Sequence, residues 1–385
     1  MSVTTLNRTR IPAVTGLIAA LATKPTVLED IAELQATSWE DGWRPDCVIL
    51  LYSHVPGDGG GIFRFVPGDT TTADDDAINV TDADGGRWRR QWDYAINAKW
   101  WGALGTSTDD TAPLGAFITY LHINGGRGYI PSGIYVLTAE LLIDESAITS
   151  DTEITRIVIE GEGDGATQLY SQHAGNCLRY LGGAGGGLGA YAQIKSLRFR
   201  GSGITNSVGM LIDNAAWLTV EDVTVMDFDL GIDGYDVLSS KFDSVRQRFN
   251  NRAERYQYSN TSRPNAILKI NCTVGSNYVY GSNVIGGAGF CVIGGAYEGN
   301  GQNAGVPNVS GFGIKMNDSG FEGVVGLAMF GTYLEFNAQI ADVWIVQSTK
   351  NAAHTVVGSG FARIDGTAYT TNNVLFDDVA GNSSL

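Results

Sequence analysis

The sequence predicts an all-β chain whose larger part is a parallel β-solenoid, and four observations carry this expectation. Glycine supplies 51 of the 385 residues, close to twice the usual ~7%. Charged residues reach only 17%, against about 25% in ordinary globular chains; helices favour Ala, Glu, Lys, Leu and Arg and are weakened by glycine. Hydrophobic residues make up 43% and aromatics 10%, too much apolar surface for disorder. Beyond residue 150 a short apolar pattern repeats, as Ile194-Lys-Ser-Leu197-Arg-Phe199, as Val220-Glu-Asp-Val223-Thr-Val225, and more loosely as Phe242-Asp-Ser-Val245.

The starts of that pattern lie 26 and 22 residues apart, and Glu298-Gly-Asn300 recurs 37 residues on as Glu335-Phe-Asn337. Short strands separated by Gly, Asn and Asp turns at such a period fit coils stacked at about 4.8 Å. Some 220 residues at ~22 per coil make on the order of ten coils, about 48 Å long. Propellers want a longer period and their own signatures, and neither is present.

The elements before the repeat follow in order. Arg8 and Arg10 precede the apolar run Ile11–Ala22, which imitates a secretory leader but is interrupted by Pro12, Thr15 and Gly16. The run is too short to span a bilayer, and the expectation is an uncleaved N-terminal helix that packs against copies of itself. A second helical piece is expected from Val27 to Leu34, with apolar residues at 27, 28, 31 and 34. The run Cys47–Tyr52 between Pro45 and Pro56-Gly57 reads as a buried strand, and Gly57–Gly61 leads into a second strand, Ile62–Val66. A phosphate cradle would need a lysine and a helix start after those glycines, so they read as a turn. Asp109-Asp-Thr111 signals a helix start, with Leu114, Phe117, Ile118 and Leu121 at helix spacing and Gly125-Gly126 as the stop. The strands Gly128–Ile130 and Ile134–Leu137 follow, around Pro131-Ser-Gly133.

A formal net charge of −16 argues against a nucleic-acid binder, which needs a basic footprint. Cys47, Cys177, Cys272 and Cys291 lie far apart, match no CxxC spacing, and are expected as reduced, buried thiols. His54, His122, His173 and His354 form no zinc motif. No metal or cofactor is expected.

Glycoside hydrolysis needs two carboxyl groups, about 5–5.5 Å apart for retention or ~6.5–9.5 Å for inversion. The densest candidates are Asp227 and Asp229, with Asp233 and Asp236 following; alternation along a strand puts Asp227 and Asp229 on one face. Glu298 and Glu335 form a second candidate pair through their shared motif. The competing reading of all four is turn chemistry, and Glu160 and Glu162 are expected to be structural. A basic cluster, Arg246, Arg248, Arg252 and Arg255 with Tyr256 and Tyr258, suits an anionic sugar, with tyrosines stacking on rings. A cation and a tyrosine base could also serve β-elimination. The alternative is a solvated or inter-subunit face whose arginines pair with Glu254 and its neighbours. Trp217 and Trp344 are candidate sugar platforms, with core or subunit interface as the competing reading.

One resemblance adds to this. Trp101-Gly-Ala-Leu-Gly105, Thr108-Asp-Asp-Thr111, Gly125-Gly-Arg-Gly-Tyr-Ile-Pro131 and Gly133-Ile-Tyr135, in that order, resemble the opening of the pectate-lyase-like superfamily. Ile159-Glu-Gly-Glu-Gly163 looks like the first-coil motif of that superfamily. Gly57-Asp-Gly-Gly-Gly61 and Gly86-Arg-Trp-Arg-Arg90 are similar to the region that precedes the β-helix in bacteriophage tailspikes and tail fibres.

The resemblance spans roughly residues 45–345. It implies a right-handed parallel β-helix, a homotrimer and a virion appendage that recognises a bacterial surface polysaccharide such as capsule or O-antigen. It implies attachment to a phage tail or baseplate protein through the N-terminal region, synthesis in the host cytoplasm and action outside the host cell, without nucleic acid or membrane insertion. Catalysis stays open, because the paired-aspartate and Gly-His-Gly signatures of polygalacturonases are missing. The rivals are a non-catalytic adhesin or structural fibre and a free bacterial polysaccharide hydrolase or lyase. The expected segments are 1–35 (N-terminal helix), 36–95 (small β module for virion attachment), 96–150 (β-helix entry with a capping helix) and 151–385 (glycan-facing β-helix).

Overall fold

The computed structural model describes residues 26–39, 44–147, 156–183, 191–258, 264–301, 311–317, 325–335, 337, 341–347, 354–362 and 372–378. The N-terminal helix expected over 1–24 lies outside them. Two compact units divide the chain, the first ending at Tyr94 and including Lys99–Gly102, the second holding Ala95–Ala98 and everything from Ala103.

In the first unit β1 (Thr26–Leu28), α1 (Ile31–Ala36), β2 (Cys47–Val55), β3 (Asp58–Phe65), β4 (Asn79–Thr81) and β5 (Arg87–Arg90) build one sheet of order β1-β2-β3-β5-β4 with α1 packed on it. Strands β2, β3, β5 and β4 pair antiparallel, while β1 lies parallel on the edge of β2. The helix expected from Val27 therefore begins later, and residues 26–35 belong to the β module. Val27 and Leu28 pair with Ile49 and Leu50, and Asp30 starts the helix by accepting from the Glu33 N–H at 2.8 Å, while the Glu33 carboxylate reaches back to the Glu29 N–H.

The Cys47–Tyr52 run is also not buried throughout. A single-layer sheet covers one face, so Val48 and Leu50 are buried while Leu51 is 61% exposed. Val48 and Leu50 join Leu28, Ile31, Leu34, Phe63, Val80 and Trp88 in the core, each such side chain contributing about 1.5–3 kcal/mol on burial.

Two charged groups are built into this sheet domain. Arg90, 1% exposed, donates to Ala77 O (2.7 Å), Gly59 O (2.9 Å), Gly60 O (3.2 Å) and Ser53 Oγ (2.6 Å). Burial pulls its pKa down, and the four acceptors replace its water. Asp82 takes the Arg44 guanidinium at 2.6 and 3.0 Å, both indole N–H groups of Trp39 and Trp88 at 2.9 Å, and the Gly86 N–H at 2.7 Å. Burial opposes its charge, but Arg44, Trp88 and Gly86 outweigh it and hold the carboxyl below its ordinary value.

A carboxyl held down in the fold stabilises it above the unfolded pKa of about 3.9, and the contribution is lost as pH falls through the folded value. The domain is therefore expected to loosen below about pH 4, read as a change in tryptophan fluorescence. Asp82→Asn should be less stable at pH 7 and lose most of that acid dependence.

Early in the second unit, after the short strands Ile96–Asn97 and Thr106–Asp109, α2 (Thr111–Asn124) buries Leu114, Phe117, Ile118 and Leu121 as its spacing predicts. The Asp110 carboxylate turns back to the N–H groups of Leu104 and Gly105, and Asp109 accepts from the Thr111 N–H at 3.0 Å. Gly125, at φ +70°, ends the helix.

Beyond it the chain winds as a parallel β-helix, with an 18-stranded sheet that bends around two faces and a nine-stranded sheet closing the third. One coil runs from Lys241–Asp243 and Arg246–Arg248 on the long sheet to Arg252–Gln257 on the nine-stranded sheet. Among the described residues nine strands lie on that face, against the ten or so coils expected. The repeat in the sequence is a stack in space: Ile194, Val220 and Phe242 are register partners, as are Leu197 and Val223.

Left-handed backbone corners turn the coil. Ser196, Asp222, Ser244 and Asn271 have φ of 55°, 49°, 55° and 50°, and Gly294, Gly331 and Gly358 continue the column at 65°, 62° and 62°. Small polar residues and glycine tolerate this region best, so one such residue per coil marks each bend.

The lumen is mostly apolar, but two polar structures run inside it. Asn250, Asn277, Asn300 and Asn337 form a buried ladder, Nδ2 to Oδ1 at 3.2, 2.8 and 2.7 Å. Glu254 and Lys269, both fully buried, pair across the lumen, with Gln247, Ser282 and Tyr256 also bonded to the carboxylate. Cys47, Cys177 and Cys272 are buried free thiols as expected, whereas Cys291 is only half-buried.

Candidate functional site: a groove at one corner of the coils

Two adjoining depressions, about 500 and 520 Å³, meet at Phe249 on the corner that leaves the long sheet. Strand register explains the convergence. Arg198, Thr224 and Arg246 are successive partners, as are Arg200, Met226 and Arg248, so arginines project from alternate coils along one face. Asp227 and Phe249 sit at the corner with φ of 64° and 60°.

Asp164 comes from a distant part of the chain to bind three of these groups. It accepts from Arg198 at 3.3 Å and Arg246 at 3.2 Å, and from the Thr224 hydroxyl. Burial opposes its charge, yet Thr224, Arg198 and Arg246 hold its carboxyl below the ordinary value. Arg246 also meets Asp222 at 3.2 Å.

On the other side of Phe249, Asp227 pairs with Arg200 at 3.0 Å, and the Arg200 guanidinium lies over the Tyr170 ring. Asp229 takes Asn251 Nδ2 at 2.7 Å, Arg252 at 2.8 Å and the Asn206 N–H at 3.1 Å. Those donors outweigh burial and keep Asp229 below the ordinary carboxylate range. Phe249, Tyr278 and Arg248 present the open surface: the two rings are 45% and 51% exposed, and Arg248 is exposed.

The structure brings Asp227 and Asp229 to the same groove, though by a different route from strand alternation: Asp227 occupies a left-handed corner, and Phe228 between them is buried. Glu298 and Glu335 are register partners on neighbouring coils. Glu298 is exposed, while Glu335 is 7% exposed and accepts from the Tyr333 hydroxyl at 2.7 Å.

The basic cluster does not form one patch, because the chain turns at Phe249–Asn251 in its middle. Arg246 and Arg248 face out from the long sheet, whereas Arg252 and Arg255 belong to the nine-stranded sheet. Arg252 pairs with Asp229, and Arg255 holds Asp233 at 3.0 and 2.7 Å. Glu254, expected among the arginines' partners, points inward to Lys269 instead. Tyr256 is 0% exposed and packs edge-on against Phe242 in the lumen, so it cannot stack on a sugar. Tyr258 is half-buried just past the end of the strand Arg252–Gln257. Trp217 is 41% exposed at a different corner, and Trp344 carries the Lys315 ammonium at 3.5 Å from its ring centroid.

Glu160 is structural as expected, bridging Arg127 and Lys195. Residues not singled out from the sequence are Asp164, Arg198, Arg200, Phe249 and Tyr278; the only signal for them is their position on neighbouring coils.

Among the described residues no group of His, Cys, Asp and Glu is placed to hold a metal ion, and no described helix is long and apolar enough to cross a membrane. Chemically, the groove offers ring faces, hydroxyl-binding carboxylates and an exposed cation. Glycoside hydrolysis asks for one carboxyl group kept protonated. Asp164 and Asp229, whose pKa values are displaced, are both displaced downward; a carboxyl displaced upward, Asp213, sits on the nine-stranded sheet, where burial and the nearby Asp236 and Asp233 outweigh Arg179.

Residues 27–93 match the family profile of the phage tail protein small four-stranded β-sheet domain. No curated protein sequence is significantly similar to the chain. Among solved structures, the full-length tailspike protein 2 of the Escherichia coli O157:H7 bacteriophage CAB120 superposes with a TM-score of 0.65 at 16% identity, covering 96% of this chain and 52% of that one. The tailspike gp49 of Acinetobacter baumannii bacteriophage Fri1, a capsular polysaccharide depolymerase, gives 0.60 at 14% identity over 91% and 69%. Pantoea stewartii WceF, a glycan biofilm modifying enzyme, gives 0.56 at 14% identity over 94% and 50%.

The fold is thus a parallel β-helix of the tailspike type, preceded in the same chain by a β-sheet domain that matches a phage-tail profile. The chain spans about half the length of the first of these structures.

Proposed function

We propose that this chain is a phage tail adsorption protein that binds a bacterial surface polysaccharide, capsule or O-antigen, along the coil corner at Phe249. The observation that carries this reading is the join of a phage-tail β-sheet domain over 27–93 to a tailspike-type β-helix. The sheet domain attaches the chain to the virion tail, three copies associate side by side, and the groove faces the host cell after synthesis in the host cytoplasm. Phe249 and Tyr278 stack on sugar rings, Asp227 and Asp229 accept hydrogen bonds from sugar hydroxyls, and Arg248 meets an anionic substituent.

Depolymerisation is the second reading, supported by the fold shared with the Fri1 tailspike, a capsular polysaccharide depolymerase, and WceF, a glycan biofilm modifying enzyme. In it Asp227 and Asp229, or Glu298 and Glu335, supply the carboxyl pair.

The test uses purified full-length protein on a panel of capsular and O-antigen polysaccharides. Retention of a polysaccharide is expected, and light scattering should give three times the chain mass. Arg248→Gln should weaken retention about tenfold, a loss of roughly 1.4 kcal/mol, and flatten its salt dependence. New reducing ends would add hydrolysis, and ultraviolet absorbance of an unsaturated uronate would add elimination. Failure to retain any polysaccharide from a bacterium to which the protein adsorbs would overturn the reading.

A further inference from the structure

A second aromatic surface lies at the other end of the strand Thr219–Met226 from the groove. Tyr191 and Trp217 stack with ring centroids 5.1 Å apart and 13° between their planes, and the Arg156 guanidinium lies over the Tyr191 ring, 5.0 Å from its centroid. Tyr191 and Trp217 are 39% and 41% exposed. A cation, a phenol and an indole thus lie together, and among the described residues no third ring stacks on the indole.

The backbone makes this placement unusual. Trp217 has φ +57° and Tyr191 φ +35°. The Trp217 N–H donates to Leu238 O at 3.1 Å, and the bridges Ala216–Leu238 and Leu238–Asn265 set the neighbours of this corner on the following coils. Those neighbours are Ser239, Ala266 and Gly289, with φ of 44°, 53° and 72°. Three coils thus fill the corner with small side chains, whereas this one places an indole where a side chain is disfavoured. Residues held this way cluster at ligand sites.

Two residues further along each coil, Gln193, Thr219 and Lys241 stand in register. An amide, a hydroxyl and an ammonium, the last 3.1 Å from Asp243, therefore line the strand starts beside the aromatic corner. A flat ring next to a row of hydroxyl-binding groups suits a sugar, which has an apolar C–H face and a polar rim.

We propose that the Arg156–Tyr191–Trp217 stack is a carbohydrate subsite separate from the groove, with Trp217 receiving the C–H face of a pyranose ring and Gln193, Thr219 and Lys241 meeting its hydroxyls. It rests on the reading of this chain as a polysaccharide binder. A glycan bound at both corners gains avidity that neither site supplies alone.

The test compares the full-length protein with Trp217→Gly, Trp217→Phe and Arg248→Gln on the same immobilised capsular and O-antigen panel. Glycine accepts the corner geometry, so Trp217→Gly should keep the thermal transition. It should weaken polysaccharide retention at least tenfold, while Trp217→Phe retains a large part of it. The retained polysaccharide should protect Trp217 from oxidation, read residue by residue by mass spectrometry. Equal retention by wild type and Trp217→Gly, with Arg248→Gln impaired, would remove the subsite and leave the groove. A lower oligomeric mass for Trp217→Gly would make the corner a contact between copies and overturn the proposal. Absence of retention by wild type across the panel would remove both sites together.

Discussion

Lys269→Met is expected to destabilise the β-helix by about 3–5 kcal/mol, the cost of leaving a buried charge without its partner. Lys269 and Glu254 are both 0% exposed. Burial would lower the lysine's pKa, but the adjacent Glu254 carboxylate outweighs it and holds the ammonium well above its ordinary value. In the variant Glu254 keeps the Gln247, Ser282 and Tyr256 donors and loses its countercharge.

A buried carboxylate that has lost its countercharge gains from taking up a proton, which shifts such a group upward. A group shifted in that direction stabilises the fold at low pH and loses the contribution as pH rises. The deficit of Lys269→Met should therefore be larger at pH 8 than at pH 5, measured by thermal or denaturant unfolding. Adding Glu254→Gln should recover much of it, because an apolar or neutral replacement of both partners is often nearly neutral. A Lys269→Met protein as stable as wild type at both pH values would show that the pair contributes nothing.

Asn277→Asp is expected to be nearly as damaging although it changes only one amide to a carboxyl. The Asn277 amide donates to Gln247 O at 3.1 Å, Gly275 O at 3.2 Å and Asn300 Oδ1 at 2.8 Å. It accepts from Asn250 through the backbone N–H at 3.1 Å and the side chain at 3.2 Å. An ionised carboxylate there faces three acceptors and has no donor to offer, with Asn277 only 1% exposed. Each buried polar group left unsatisfied costs about 1–3 kcal/mol, so a loss of at least about 3 kcal/mol is expected.

The loss should shrink at low pH, where the introduced carboxyl is protonated and regains one donor. Amide hydrogen exchange at Asn250, whose N–H points at Asn277, should rise in step. Unchanged exchange there, with an unchanged melting transition, would remove the ladder from the account of coil stability.

Much of the coil architecture was legible because stacking leaves a period. The motif starting at Ile194, Val220 and Phe242 places true register partners, and the Glu298 and Glu335 motifs share a period because Asn300 and Asn337 occupy adjacent ladder steps. What was not legible depends on where the chain bends and on contacts between coils. Alternation fails at a left-handed corner, so the arginines from 246 to 255 read as one cluster although Phe249 divides them. Tyr256 and Lys269 look like surface residues in a polar stretch, but a solenoid lumen can hold charges that satisfy each other. Asp164 lies 60 residues from Thr224 and 82 from Arg246, a juxtaposition set by the number of residues in each intervening coil. Residues 27 and 28 kept helix spacing yet pair as an edge strand, since three residues suffice for an edge and periodicity cannot separate such short pieces.

The corner columns also govern how this surface can change over generations. In the column from Ser196 to Gly358, a φ near +55° accepts Gly, Asn, Asp or Ser with little strain, so most random replacements there are expected to cost stability. The flat stretches between corners, where Arg198, Arg246 and Arg248 project, carry no such filter. Change is thereby expected to fall on side chains that project from the strands, with the path of the backbone kept.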